Sequence, residues 1–165
     1  MDGVVAIRPL GPFDLELAAA LHGAAFDAPW TGQAFAEILA MPGSAGFLAV
    51  KDGQPAGLIL LQMQPPDAEV LTLGVLPGLR RQGIAAALLG QALALVLQAG
   101  ASRLLLEVAA DNGPALAFYR RQGFRPLSRR PGYYRRAPGP PVDAEVLFLP
   151  LAPLPRSAGP SSRTN

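Results

Sequence analysis

Residues 71–77 read Leu71-Thr72-Leu73-Gly74-Val75-Leu76-Pro77, and residues 80–86 read Arg80-Arg81-Gln82-Gly83-Ile84-Ala85-Ala86. The first run has the composition of a strand that Pro77-Gly78 ends. The second opens a long apolar helix over residues 82–99, with Gly100 at its C-terminal end. A helix start presents unpaired backbone N–H groups and a partial positive charge. A diphosphate can accept from those donors where no side chain intervenes. Gly83 leaves that clearance, Ala85 is small enough to keep it, and Arg80 and Arg81 add charge beside an anion. A helix start that merely carries glycine and arginine fits the same residues, so this motif alone does not decide. Gly74 lies in mid-strand, where glycine marks a bulge or a close backbone approach. A P-loop would need Lys followed by Ser or Thr after its last glycine, and a dinucleotide fold would need G-x-G-x-x-G near the first strand. Neither pattern is present.

Working upstream, residues 4–8 form a first strand. Pro12 opens a helix whose apolar stripe is Leu15, Leu17, Ala18, Leu21 and Ala25. Pro29-Trp30 breaks it, and Thr31 caps a second helix through Phe35, Ile38 and Leu39 that Met41-Pro42-Gly43 ends. Residues 47–51, the Asp52-Gly53 turn and residues 56–64 form a hairpin. Pro65-Pro66-Asp67 then turns the chain into the strand over residues 70–75. Working downstream, residues 104–108 are nearly all apolar, as in an interior strand. Residues 114–122 form a short helix stopped by Gly123, and residues 124–127 and 144–149 form the last two strands. The alternation predicts an α/β fold, a mixed sheet with helices on both faces. Residues 1–152 form one domain. Residues 153–165 are rich in Pro, Ser, Gly and Arg, and are expected to be a disordered tail.

Composition narrows the chemistry. The chain has 165 residues, half of them hydrophobic, enough for one sizeable core. With no cysteine there is no disulfide, thiolate nucleophile or cysteine metal site. His22 is the single histidine, which argues against a histidine metal site or a Ser-His-Asp triad. No metal is expected. The net charge of +2 does not call for a nucleic-acid partner. Arg120, Arg121, Arg125, Arg129, Arg130, Arg135 and Arg136 crowd one stretch, however. A solvated surface explains them in a chain whose only lysine is Lys51; attraction to phosphates is the alternative. Residues 84–100 are almost uninterrupted apolar sequence, at the lower limit of about 17 residues for a membrane span. Gln91, Gln98 and several small residues favour a buried helix instead. The N-terminus lacks a signal-peptide pattern. The expectation is a soluble cytoplasmic protein, off the membrane, as a monomer or weak dimer.

Two side chains stand out as chemistry. Glu107 closes the apolar run Leu104-Leu105-Leu106. An ionised carboxylate is costly to bury alone. Glu107 therefore either reaches solvent at the strand end or sits in a polar site as a general base. Tyr119, in the helix that follows, is a packing aromatic or a proton donor to a departing thiolate; phenol and thiol pKa values of about 10 and 8.5 permit the transfer. Asn112 caps that helix and can also reach a ligand amide.

Taken together, these pieces resemble the GNAT superfamily of acetyl-CoA-dependent N-acetyltransferases. Arg80-Arg81-Gln82-Gly83-Ile84-Ala85 fits its pyrophosphate motif, R/Q-x-x-G-x-G/A. Glu107-Val108, Asn112, Phe118-Tyr119 and Gly123-Phe124 follow in the order of its next blocks. Within the superfamily the chain is most similar to the ribosomal-protein-alanine N-acetyltransferases (RimI type), on Pro29-Trp30, Leu106-Glu107-Val108 and Gly132-Tyr133-Tyr134 followed by Asp143-Ala144.

The resemblance implies a single GNAT domain whose middle strands splay apart, with acetyl-CoA as co-substrate. It implies Glu107 as base and Tyr119 as acid. Leu73, Gly74 and Val75 would hold the acetyl and pantetheine part. Arg80, Arg81, Gln82, Gly83, Ile84, Ala85 and Ala86 would hold the pyrophosphate, and Asn112 would contact the cofactor. The acceptor it implies is a protein N-terminus, with Trp30, Tyr133 and Tyr134 on the substrate side; Tyr133 and Tyr134 are equally well read as packing aromatics. Gly113-Pro114 and the proline-rich residues 135–141 depart from the family pattern. They leave open a small amine or lysine side chain as acceptor, and, in another class, a non-catalytic CoA-sensing module.

Overall fold

The structure, a computed structural model, describes residues 3–152. The proposed tail, residues 153–165, lies outside the described residues. In chain order the elements are β1 (Val5–Pro9), a 3₁₀ turn (Pro12–Asp14), α1 (Leu15–Ala25), α2 (Gly32–Ala40), β2 (Ser44–Lys51), β3 (Gln54–Gln64) and β4 (Asp67–Val75). A second 3₁₀ turn (Pro77–Leu79), α3 (Ile84–Gln98), β5 (Arg103–Ala109), α4 (Gly113–Arg121), β6 (Arg125–Tyr134) and β7 (Val142–Pro150) complete them. The strands form one seven-stranded sheet in the order β1-β2-β3-β4-β5-β7-β6. The β4–β5 pair is parallel and every other pair antiparallel, so the sheet is mixed as expected.

Strand periodicity sorts the core onto two faces. Phe47, Ala49, Ile59 and Leu61 face a core shared with Ile84, Leu88, Leu89 and Val96 of α3 and with Leu116 and Tyr119 of α4. Their strand neighbours Leu48, Leu58 and Leu60 face the opposite core, shared with Ala18 and Leu21 of α1 and Phe35 of α2. Thr31 caps α2, accepting from Ala34 N–H at 3.1 Å. The apolar stretch that approaches membrane length is α3, and among the described residues no helix is long and apolar enough to cross a membrane.

Two features of the sheet shape the site. A bulge lies between β3 and β4, where Leu60 pairs with Thr72 but Leu61 with Val70. Leu71 is the extra residue. Before it, Ala68 and Val70 face the α3 core; after it, Leu73 does. Further on, the β4–β5 ladder covers only Asp67–Arg103 to Val70–Leu106. Beyond Val70 the two strands are unpaired, which is the splay expected of the middle strands.

The largest boundary difference from expectation lies in the sixth strand. The sixth strand was read over residues 124–127 but runs from Arg125 to Tyr134, while Phe124 is a buried core residue before it. Pro131-Gly132 looks like a stop in sequence. On the outermost strand, however, a proline's missing N–H costs no ladder hydrogen bond. The ladder with β7 skips residues 131–133 and resumes at Tyr134–Val142.

Candidate active site

The turn between β4 and α3 is built on two left-handed residues, Arg81 (φ 61°) and Gly83 (φ 80°). Glycine takes this conformation freely, whereas an L residue such as arginine pays about 1 kcal/mol or more. Strain of that kind collects at functional sites. Gly83 is the N-cap of α3 and offers no side-chain cap, unlike Thr31 on α2 and Asn112 on α4. The first-turn N–H groups of α3 are thus left to solvent or an anion. A Cβ built on Gly83 meets nothing within 4 Å, so the space in front of those donors is open. The turn fits a diphosphate.

Other members of this stretch are engaged by the protein. Arg80 Nε donates to Val75 O at 3.2 Å, and its Nη2 to Ala25 O at 3.3 Å. Gln82 accepts from the Lys51 ammonium. Among the described residues Arg81 forms no ion pair. Gly74 pairs in register with Leu58, so no bulge lies there. A Cβ there would lie 2.7 Å from Phe26 Cε2 and 3.2 Å from Ala25 Cβ, because the end of α1 closes onto the strand.

The splay opens a slot through the sheet with different groups on its two sides. Leu104, Leu106 and Val108 face the α3–α4 core, so Glu107 points to the other side. Glu107 is 18% exposed, and its Oε1 lies 3.1 Å from Arg130 Nε on β6. It shares a concave polar pocket of about 230 Å³ with Gln62, Gln64, Glu69 and Arg130. Glu69, which the sequence reading did not single out, stands at the rim of that pocket. Partial burial, and then the Glu107 charge, push its carboxyl above the usual carboxylate range, while Arg130 opposes them. Its only sequence signal was an acid between the apolar Ala68 and Val70 of β4.

Tyr119 lies on the opposite side, 8% exposed, its ring edge-on to Phe118 and Phe124. Burial, followed by the nearby Tyr134, holds its phenol proton far more tightly than usual. Tyr134 is itself raised by burial, then by Glu107 and Tyr133. Tyr134 is thus close enough to feel the Glu107 charge and to act on Tyr119. Tyr133 is exposed and stacks edge-on against Tyr134, with the Arg130 guanidinium 5.5 Å from its ring centre. Asn112 caps α4 at 3.2 Å from Ala115 N–H.

Trp30 lies in the α1–α2 loop, half-buried against the core of α1 and α2 and stacked on His22. His22 is buried, and its pKa is lowered by that burial. Its Nδ1 accepts from Trp30 N–H at 3.0 Å, so a neutral ring carries its proton on Nε2, 3.2 Å from Thr72 Oγ1. Three of the seven arginines of the basic stretch pair with acids: Arg129 with Asp143 and Glu145, Arg130 with Glu107, and Arg136 with Asp111.

This arrangement coincides with a family. The sequence matches the Acetyltransferase (GNAT) family over residues 15–124. The chain belongs to the GNAT family. An uncharacterized protein of Mycobacterium leprae is 34% identical over 137 residues, which is 79% of this chain but only 37% of that relative's length. The [ribosomal protein bS18]-alanine N-acetyltransferase of Escherichia coli K12 is 30% identical over 146 residues, covering 88% of this chain and 97% of the relative. The crystal structure of the ribosomal-protein-S18-alanine N-acetyltransferase from Escherichia coli superposes with a TM-score of 0.84 at 28% identity, over 94% of this chain and 99% of the other.

Proposed function

We propose that this protein is an acetyl-CoA-dependent N-acetyltransferase that acetylates the α-amine of a protein N-terminus, with an alanine-starting ribosomal protein as acceptor. One observation carries the reading: the slot beyond Val70–Leu106 has the open α3 turn at its mouth, Glu107 on one side and Tyr119 on the other. The match in length and fold to the Escherichia coli enzyme supports the choice of acceptor.

Acetyl-CoA supplies an acyl group already activated as a thioester. The backbone N–H groups of Ile84, Ala85 and Ala86, with Arg81 beside them, bind its diphosphate. Residues 71–75, unpaired on the side facing β5, offer backbone donors to the pantetheine and to the acyl oxygen as negative charge grows there. Glu107, held by Arg130, orients the incoming amine and takes its proton, directly or through water. An α-amine of pKa near 8 needs only modest help to lose that proton. Tyr119 hydrogen-bonds the departing sulfur on the α4 side. Because burial tightens its grip on its own proton, the phenol stabilises the sulfur mainly through that bond. Glu69, Tyr133 and Tyr134 line the acceptor side with Trp30 opposite.

The experiment is CoA release from acetyl-CoA with short peptides bearing free N-termini, polyamines and free lysine as acceptors. Turnover on a basic, alanine-starting peptide above all others is the expected result. Turnover on small amines instead would overturn the acceptor. Acetyl-CoA binding without turnover on any amine would overturn the enzyme reading in favour of a sensing module.

A further inference from the structure

The loop between α1 and α2 is fastened to β4 at successive points. Thr72 bonds the buried His22, whose other ring nitrogen holds the Trp30 backbone. At Gly74 the Phe26 ring closes onto the strand so tightly that no Cβ fits. At the strand's end, Arg80 bridges Val75 O and Ala25 O. Ala25 is the last residue of α1, where carbonyls lack helical partners and a cation is favoured. Arg80 is followed directly by Arg81, Gln82 and Gly83, the turn that opens α3. A single side chain therefore joins the end of the helix that leads into Trp30 to the turn built for a diphosphate.

We infer that Arg80 is a positioning residue: through its bonds to Ala25 O and Val75 O, it couples the wall carrying Trp30 to the diphosphate turn, so that loading the turn firms the acceptor wall. This rests on the proposed roles of those two regions, and it removes Arg80 from the diphosphate ligands. Two donors in fixed directions are what the bridge needs. Guanidinium supplies them as a rigid fork, whereas an ammonium is a point charge. An amide NH₂ is neutral, and its one nitrogen reaches only as far as Nε, short of Ala25 O.

That difference gives a test with Arg80→Lys and Arg80→Gln. Trp30 is the only tryptophan, so its fluorescence reports the wall without any turnover. Acetyl-CoA affinity is measured by calorimetry, Trp30 exposure by acrylamide quenching with and without acetyl-CoA, and acceptor KM with the best peptide. In wild type, acetyl-CoA should lower quenching. Arg80→Lys should keep acetyl-CoA affinity within about threefold, lose that response, and raise acceptor KM about fivefold or more, the scale of a typical coupling. Arg80→Gln, whose single nitrogen cannot span the two carbonyls, should do the same. Loss of acetyl-CoA affinity in Arg80→Gln, with Arg80→Lys behaving as wild type, would make Arg80 a phosphate ligand and overturn the inference. Identical quenching in all three proteins would also overturn it. Should acetyl-CoA bind but no peptide react, the proposed transfer fails, while the quenching comparison still decides the coupling.

Discussion

The two halves of the site are made in opposite ways. The diphosphate half is one continuous piece of chain: β4 ends, Arg81 and Gly83 turn through left-handed conformations, and α3 begins uncapped. The proposed acceptor half is assembled from side chains far apart in sequence: Glu69, Glu107 and Arg130 line one pocket from three strands, and the proposal adds Trp30 from the α1–α2 loop and Tyr133 and Tyr134 from β6. A ligand common to a whole family can be met by fixed backbone, whereas the acceptor must be met by side chains. Changes in the first half should therefore affect acetyl-CoA affinity, and changes in the second should affect turnover and acceptor KM.

The sharpest way to break this division is Glu107→Gln. Loss of the base should lower kcat by about 10²-fold or more while acetyl-CoA affinity, measured by calorimetry, stays near wild type. A parallel loss of acetyl-CoA affinity would join the two halves. Tyr119→Phe should lower kcat by about tenfold, less than Glu107→Gln, because a buried phenol that keeps its proton contributes through a hydrogen bond. An equal or larger loss would restore Tyr119 to full proton donation.

Gly83→Val tests the other half. It should weaken acetyl-CoA binding about tenfold and cost about 1 kcal/mol of stability from the left-handed backbone. Unchanged affinity in a folded variant would mean that the turn is not the cradle. The smallest effect is expected at Glu69. Its carboxyl is harder to ionise in the folded protein than in the unfolded chain. The folded state therefore loses stability as pH rises from about 4.3 towards the raised value. Glu69→Gln removes that loss. Its Tm advantage over wild type should grow as pH rises above about 4 and then level off. Parallel Tm curves would show that Glu69 is fully solvated.

The same contrast governs what the sequence disclosed. The junction from β4 to α3 was legible because strand end, glycine and helix start lie next to one another. The hairpin and the Thr31 and Asn112 caps were legible for the same local reason. Glu107 and Tyr119 were visible as odd residues in regular elements, but their placement on opposite sides of the sheet follows from strand alternation and from α4 packing. Glu69 was not legible, because its place depends on the β4–β5 register and on the bulge at Leu71. Arg130 was hidden by Pro131-Gly132, which mimics a strand end wherever the strand is not at a sheet edge. His22 was read only for the chemistry it could not perform; its bonds to Thr72 and Trp30 join residues 50 and 8 positions away.

The measurement that bears most directly on the account is hydrogen–deuterium exchange with and without saturating acetyl-CoA. The account predicts new protection in the segments spanning residues 71–76 and 81–88, the unpaired edge of β4 and the first turns of α3. Protection confined to other segments, or none at saturation, would contradict it.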